Sequence, residues 1–487
     1  MAAVAPKPHV SQAECLIQAG LRSQVLVPDD ADYDARQDSY WSNTAKTLKP
    51  AAIVCPRTTA EVAAAVKALV AAGQPFAIRS GGHTNWAGSN NIDGGVTIDL
   101  SQLNTTVYDA ASETATIEPG ARWKEVYAEL HKHGRVVAGG REGNVGVAGL
   151  ILGGGNTFFT ARTGFACDNV VSYEVVLADG SIVTADATTS PDLFRALKGA
   201  GPGNFGIVTK FTMTAIPCDT VWGGMTFFPK QLIPSAIDAF VDFTDKVEKD
   251  PSANLVCIFT HMPDFKDIVI ATLYAHVAGV PRAPAYEKWL ALPEMMNTIK
   301  TTSVSEMAFE YNIPTHYHNT WFTLAFKNDA RIIAHASALH DTLVAELQAF
   351  ISDSDFITQC LFQPLPTLYA ANSVAAGGNV MGLERNGANG VLFLATVMVR
   401  TPEQEAFAYP RAKAWTQAVK EFAAGLEGGD GLFEWTYLNY ADKSQEVLQS
   451  YGEENVKRIR EVAARYDPGQ VFQTLCPGGF KVVDVKV

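Results

Sequence analysis

Arg79-Ser80-Gly81-Gly82-His83-Thr84 places a histidine directly after paired glycines, and Asn85, Trp86, Ala87 and Gly88 follow. Backbone N–H groups in such a turn can converge on an anion because no Cβ blocks the approach. A histidine leaving the turn can touch whatever is held there. Taken alone, the run also reads as a tight turn with a hydrogen-bonded imidazole. A second glycine-rich run is Val145-Gly146-Val147-Ala148-Gly149-Leu150-Ile151-Leu152-Gly153-Gly154-Gly155. Near the end, Tyr437-Leu438-Asn439-Tyr440 offers two phenols as proton acceptors. A phenol with an ordinary pKa of about 10 is a poor base at neutral pH. It needs a nearby cation, or hydrogen bonds that favour the phenolate, and only Lys443 is close in sequence. Strand alternation would put Leu438 and Tyr440 on one face and Tyr437 and Asn439 on the other.

Periodicity and turn signals predict the elements that would hold these residues. Thr58 and Glu61 are spaced as a capping box for a helix over Thr58–Ala72, closed by Gly73. A strand over Pro75–Ile78 then opens into the glycine pair. Strands are expected at Val96–Leu100 and Thr114–Ile117, and a helix at Trp123–Lys132. Asp179-Gly180 joins Tyr173–Ala178 to Ser181–Ala185 as a hairpin, and Ser190 is placed to cap a helix beginning at Pro191. Gly201-Pro202-Gly203-Asn204-Phe205-Gly206 fits G-x-G-x-x-G, but a helix precedes it and strand-like Ile207-Val208-Thr209-Lys210-Phe211-Thr212 follows. That is the reverse of a Rossmann site. From about Cys218 to Glu434 the texture changes to long apolar strands (Leu255–Thr260, Ile268–His276, Phe356–Phe362, Val391–Val399) and Ala-rich helices such as Glu403–Ala424. This predicts an α+β unit, a sheet with helices on one face. An amphipathic helix over Glu453–Arg465 follows.

The chain has 487 residues, 47% of them hydrophobic, and a formal charge of −13. That suits one large or two joined globular domains. With no Lys/Arg cluster, it argues against a nucleic-acid or anionic-membrane partner. No apolar run approaches the roughly 18 residues of a membrane helix. The seven cysteines show no C-x-x-C or Cys/His grouping, so no metal site is expected. His316-Tyr317-His318 has metal-pair spacing but no grouped carboxylate or thiolate. The first residues lack the apolar core of a signal peptide. This predicts a cytoplasmic protein, with a trimmed secreted form as the alternative. Oligomeric state is not readable.

Arg79–Thr84 resembles the flavin-attachment loop of the FAD-linked oxidases that include berberine bridge enzyme, within the vanillyl-alcohol-oxidase superfamily. Four further blocks stand in that family's order: Val145–Gly155; Ser190–Gly199 leading into Gly203–Thr209; Tyr437–Tyr440; and Tyr466-Asp467-Pro468. Any one block is weak, but together they are highly specific. The resemblance implies a two-domain PCMH-type FAD-binding fold. Residues 1–217 would bind FAD, with a PCMH-type core at about 46–217. Residues 218–434 would form the substrate domain on an antiparallel sheet covered by helices, and 435–487 would return to the FAD domain.

It further implies that Arg79, Ser80, Gly81, Gly82, Thr84 and Gly88 cradle FAD, while His83 carries it through an 8α-histidyl bond. The second segment, Asn144, Val145, Gly146, Gly149, Gly153, Gly154 and Gly155, would approach the flavin, as would Asn439. Asn204, Gly206, Ile207 and Val208 would run beside the adenine and ribose. Many relatives add a second link from a Cys three residues before the Val-Gly. Here that position is Glu142, so a single covalent link is expected. Glu142 itself would be either a solvated loop charge or a polar wall beside the ring. Tyr440 is the implied base, with Tyr437 in reserve, and Gln363 and Asn379 would orient substrate. A Cys15–Cys55 disulfide is implied only by secreted relatives. The implied reaction is hydride transfer from a C–H of an alcohol or secondary-metabolite intermediate to flavin, with O2 reoxidation to H2O2. The alternatives are an oxidative or redox-neutral cyclase and an oligosaccharide oxidase. The partners would be a small-molecule substrate and O2.

Overall fold

A computed structural model describes residues 11–310, 312–426 and 428–486. The helix before the glycine pair spans Thr59–Ala72. Thr58 Oγ1 accepts from the Glu61 N–H at 3.2 Å, and Gly73 closes the helix at φ 64°. Only half of the expected capping box forms, because the Glu61 carboxylate instead accepts from Gln24 Nε2 and the Arg57 N–H. The strand Phe76–Arg79 then runs parallel to Val96–Asp99, which is parallel in turn to Ala52–Val54. Val25–Leu26 completes this sheet as an antiparallel edge. The glycine pair thus leaves the carboxyl end of a buried parallel strand.

A second sheet is antiparallel, in the order Thr106–Asp109, Thr114–Ile117, Ile207–Thr214, Val170–Val176, Ile182–Asp186. It contains the predicted hairpin, with Val176 opposite Ile182. Ser190 does not cap Pro191–Ala200 with its side chain: it sits at φ 50° and makes no capping bond. The G-x-G-x-x-G run feeds the strand Ile207–Thr214, as the β-branched residues after it dictate.

The large sheet is antiparallel, in the order Met296–Asn297, Val221–Pro229, Val269–His276, Ala253–His261, Phe356–Leu365, Gly390–Val399, His318–Lys327, with Lys300–Thr302 also pairing Val221–Pro229. The helices Ile233–Lys246, Ala330–Gln348 and Pro402–Ala424 cover one face. Phe362 meets Phe240 there, and Phe393 meets Trp415. Strand alternation sends Gln359, Leu361 and Gln363 to the opposite face, which roofs a cavity above the first two sheets. No helix among the described residues is long and apolar enough to cross a membrane.

Candidate active site

The cavity measures about 300 Å³. Its floor is the glycine-pair loop. Gly81 and Gly146 touch backbone to backbone: a Cβ on Gly146 would lie 2.4 Å from Gly81 N. No side chain fits between the two loops, which explains glycine at both positions. Arg122 ties them together by donating to the carbonyls of Gly81 (3.0 Å) and Asn144. Ser80, Gly81, Gly82, His83 and Thr84 line the cavity, as do Glu142, Val145, Gly146, Gly149, Gly206, Ile207, Val208 and Asn439.

Other expected residues stand behind this wall. Arg79 is fully buried and faces away from the cavity: it donates to Arg36 O and Ser39 Oγ, lies 3.5 Å from Asp99, and packs its guanidinium over Tyr40. Asn144 bonds Lys124, Asn312 and Glu142. Gly153 packs against Asn439, Gly154 against Met381 and Gly155 against Ala166, and Gly88 abuts Gly478. Asn204 is buried against Ala200 and the carboxyl-terminal segment at Phe480. Asn379 is not on the roof; its side chain bonds buried Asp168. Cys15 and Cys55 are both free thiols. His318 of the metal-spaced pair bonds Glu405 instead, and no metal-binding group of His, Cys, Asp and Glu occurs among the described residues.

His83 stacks on Trp41 with ring centroids 4.3 Å apart and planes 8° from parallel. Its Nε2 is buried without a hydrogen-bond partner. Burial, reinforced by the Arg122 cation, pushes the imidazole down to about 3, so the ring is neutral. Glu142 is not a solvated charge. It is 5% exposed, accepts from the Asn144 N–H (2.9 Å) and Asn144 Nδ2 (3.2 Å), and lies 3.7 Å from His83 Nε2. Burial lifts its carboxyl above the ordinary range, opposed by those bonds. Because the imidazole is neutral, this approach is not an ion pair.

Tyr437–Tyr440 is a 3₁₀ turn over Leu438–Tyr440 rather than a strand, so the turn brings both tyrosines to the cavity. Tyr437 is buried, and its hydroxyl accepts from the Asn156 N–H (2.6 Å) and Asn439 Nδ2 (3.1 Å). Burial pushes its ionisation upward. Tyr440 Oη accepts from Arg141 Nη2 (3.1 Å) and Gln363 Nε2 (3.0 Å). The Gln363 carbonyl in turn accepts from Arg141 and from Asn156 Nδ2. Lys443 takes no part in these bonds; the cation beside Tyr440 is Arg141. Sequence reasoning missed Arg141, Arg122 and Trp41. Arg141 had a signal, since it adjoins Glu142 just ahead of the second glycine-rich run, whereas Trp41 had none. The carboxyl-terminal pair Gly478-Gly479 also lines the cavity and was readable as a glycine turn.

Residues 50–186 match the family model described as FAD binding domain, and residues 436–474 match that of berberine and berberine-like proteins. The chain is 38% identical over 485 residues to the FAD-dependent monooxygenase drtC of Aspergillus calidoustus, across 98% of this chain and 91% of that protein. Its fold is similar to that of Physcomitrella patens BBE-like 1, with a TM-score of 0.77 at 20% identity over 95% of this chain and 97% of that one. It is similar also to glucooligosaccharide oxidase from Acremonium strictum, whose FAD is 6-S-cysteinyl and 8α-N1-histidyl, with a TM-score of 0.75 at 21% identity over 96% and 98% of the two chains.

The cavity residues fit FAD. His83 Nε2 is an orphaned buried nitrogen on its wall, and a Cβ on Gly149 would meet no protein atom within 4 Å. Two glycine loops bring backbone to the same surface, as an anionic pyrophosphate requires. With an FAD-binding domain, a berberine-like carboxyl terminus and a relative this similar along almost its whole length, the chain belongs to the berberine-bridge-enzyme-like family of FAD-dependent oxidoreductases.

Proposed function

We propose that the protein is an oxidase that removes hydride from a C–H of an alcohol or secondary-metabolite intermediate. FAD, when bound, supplies the hydride acceptor and the centre at which O2 becomes H2O2. His83 would carry it by a single 8α link: burial and the Arg122 cation keep the ring neutral, Trp41 stacks on its face, and its Nε2 has no hydrogen-bond partner. No second link is available at Glu142, a carboxylate standing where many relatives have a thiol.

The observation that carries the proposal is the pair of donors on Tyr440. Arg141 and Gln363 aim N–H groups at Oη, so charge left on that oxygen meets a cation and an amide. With Arg141 and Gln363 both donating to Oη, Tyr440 would act as the phenolate: its own proton leaves first to solvent through the cavity, and the freed oxygen then takes the proton of a substrate hydroxyl as hydride leaves the adjacent carbon. Tyr437, already accepting two bonds in the wall, fixes the turn. Beside Gln359 and Gln363 the roof bears Val256, Leu273, Leu361, Leu394 and Trp321, a mostly apolar surface with few groups to hydrogen-bond the hydroxyls of an oligosaccharide.

The test is anaerobic mixing with candidate alcohols, phenols and enols. A true substrate bleaches the flavin, and re-aeration releases one H2O2 per substrate oxidised. A substrate that is converted without bleaching identifies a redox-neutral cyclase instead. Similarity to the FAD-dependent monooxygenase of Aspergillus calidoustus favours a second reading, oxygen-atom insertion. It predicts an ¹⁸O label from ¹⁸O2 in the product and a matching shortfall in H2O2.

A further inference from the structure

Arg141 is the sole Lys or Arg among the described residues lining the cavity, and Glu142 the sole carboxylate. Among the described residues, no carboxylate lies within ion-pair distance of Arg141. Only one of its nitrogens is engaged among the described residues: Nη2 donates to Gln363 Oε1 and Tyr440 Oη, while no side-chain or backbone acceptor there meets Nε or Nη1. Half-buried guanidinium groups are ordinarily paired, because taking the charge from water is costly. Here the protein leaves most of one fork of donors unassigned, at the apolar roof and beside the proton acceptor.

We propose that this fork receives an acidic oxygen of the substrate. The substrate class is therefore a mostly apolar body that carries a carboxylate, phenol or enolised dicarbonyl within reach of the carbon to be oxidised. The inference rests on the oxidase reading of the same cavity and deepens it. A planar guanidinium binds such oxygens through two N–H groups, with orientation as well as attraction. Val256, Leu273, Leu361, Leu394 and Trp321 would cover the rest of the molecule. The net charge of −13 gives no long-range attraction for an anion. Selection must then be local and must depend on this one residue. Arg141 is accordingly a specificity-determining residue as well as a donor to Tyr440.

The test titrates the oxidised yellow holoenzyme with benzoate and with benzamide, its neutral isostere, following perturbation of the visible flavin band. Benzoate should bind roughly 10- to 100-fold more tightly, the usual worth of a charge-assisted bond over a neutral one. Arg141→Gln should abolish that preference, and Arg141→Lys should retain part of it. The wild-type comparison needs no variant, so it stands even where a variant folds poorly. Equal binding of the two probes, no perturbation by either, or a benzoate preference that survives Arg141→Gln overturns the inference. A clear benzoate preference in an enzyme whose flavin no acidic substrate can bleach leaves anion recognition standing and removes the oxidase reading.

Discussion

Arg141 Nη2 lies 3.1 Å from Tyr440 Oη, although 299 positions separate the two residues in the chain. The loop ahead of the second glycine-rich run supplies the cation and the carboxyl-terminal turn supplies the phenol, so neither segment alone shows a competent acid–base group. Folding joins them under Gln363 of the roof.

If Tyr440 moves the substrate proton, Tyr440→Phe should keep its FAD, because one hydroxyl at the cavity wall is lost. Anaerobic flavin reduction should slow by roughly 10²–10⁴, the usual worth of a positioned general base. Tyr437→Phe strips a buried acceptor from the Asn156 N–H and Asn439 Nδ2. It should lower stability by about 1–3 kcal/mol and slow reduction less. Rapid bleaching in Tyr440→Phe with a crippled Tyr437→Phe would reverse the assignment. Turnover is the wrong readout, because reoxidation or product release can limit it.

A single covalent link means that acid-precipitated protein stays yellow and yields one flavin peptide, containing His83. His83→Ala should release all its flavin into acid. Glu142, whose carboxylate lies 3.7 Å from His83 Nε2, is placed to take a proton from that nitrogen. Its carboxyl is raised by burial, so the ionised, accepting form is gained only above the ordinary carboxylate range. Covalent incorporation into apo protein should therefore rise as pH climbs through that raised range, and Glu142→Gln should be slower with a flatter profile. Equal incorporation rates in both proteins at every pH would exclude Glu142 from attachment.

His340 gives the protein a pH-dependent stability far from the cavity. It is buried against Trp415, bonds Thr358 Oγ1 at 2.7 Å, and burial holds it down to about 3. The unfolded chain has an ordinary histidine near 6.5, so between about 3 and 6.5 unfolding takes up one proton at this site. Stability is therefore fully present above about 6.5 and is lost as pH falls through that window, by about 1.4 kcal/mol per pH unit in its lower part. His340→Gln should flatten the fall in urea midpoint between pH 6.5 and 4.5 by nearly one proton. An unchanged slope would mean that His340 is already protonated in the folded state.

The architecture was legible because its signals are local. Thr58 and Gly73 bound a real helix, Asp179-Gly180 is a real hairpin, and apolar runs marked four of the roof strands to within three residues at their ends, whereas the roof strands Val221–Pro229 and His318–Lys327 were not marked. The cavity loops were legible for the same reason, since glycine pairs mark backbone that must approach something closely. What failed depends on tertiary placement. Arg79 belongs to the motif but points backwards to Asp99 and Tyr40. Tyr437 and Tyr440 share the cavity because a 3₁₀ turn overrides strand alternation. Glu142 looks like a loop charge until Asn144 and His83 close over it. Trp41 stacks on His83 from a segment with no motif at all.

Two glycines separate loop packing from cofactor clearance. Gly149 lies in the helix Val147–Leu152, lines the cavity, and a Cβ there would meet no protein atom within 4 Å. Alanine at that site adds helix propensity worth up to about 1 kcal/mol, so apo Gly149→Ala, made under riboflavin limitation, should unfold no earlier than the parent. It should nevertheless take up little FAD, because the new methyl group projects into the cavity that would hold the cofactor. Gly146→Ala behaves oppositely in the apo state. Its Cβ would lie 2.4 Å from Gly81 N and 2.8 Å from Ser80 Oγ, so the two loops must part. It should lower apo stability by roughly 1–3 kcal/mol, as overpacking does, and lose FAD as well. Thermal unfolding of apo protein and flavin content per chain are the paired measurements. Full FAD content in Gly149→Ala would place the cofactor away from this helix and undo the assignment of the second glycine segment.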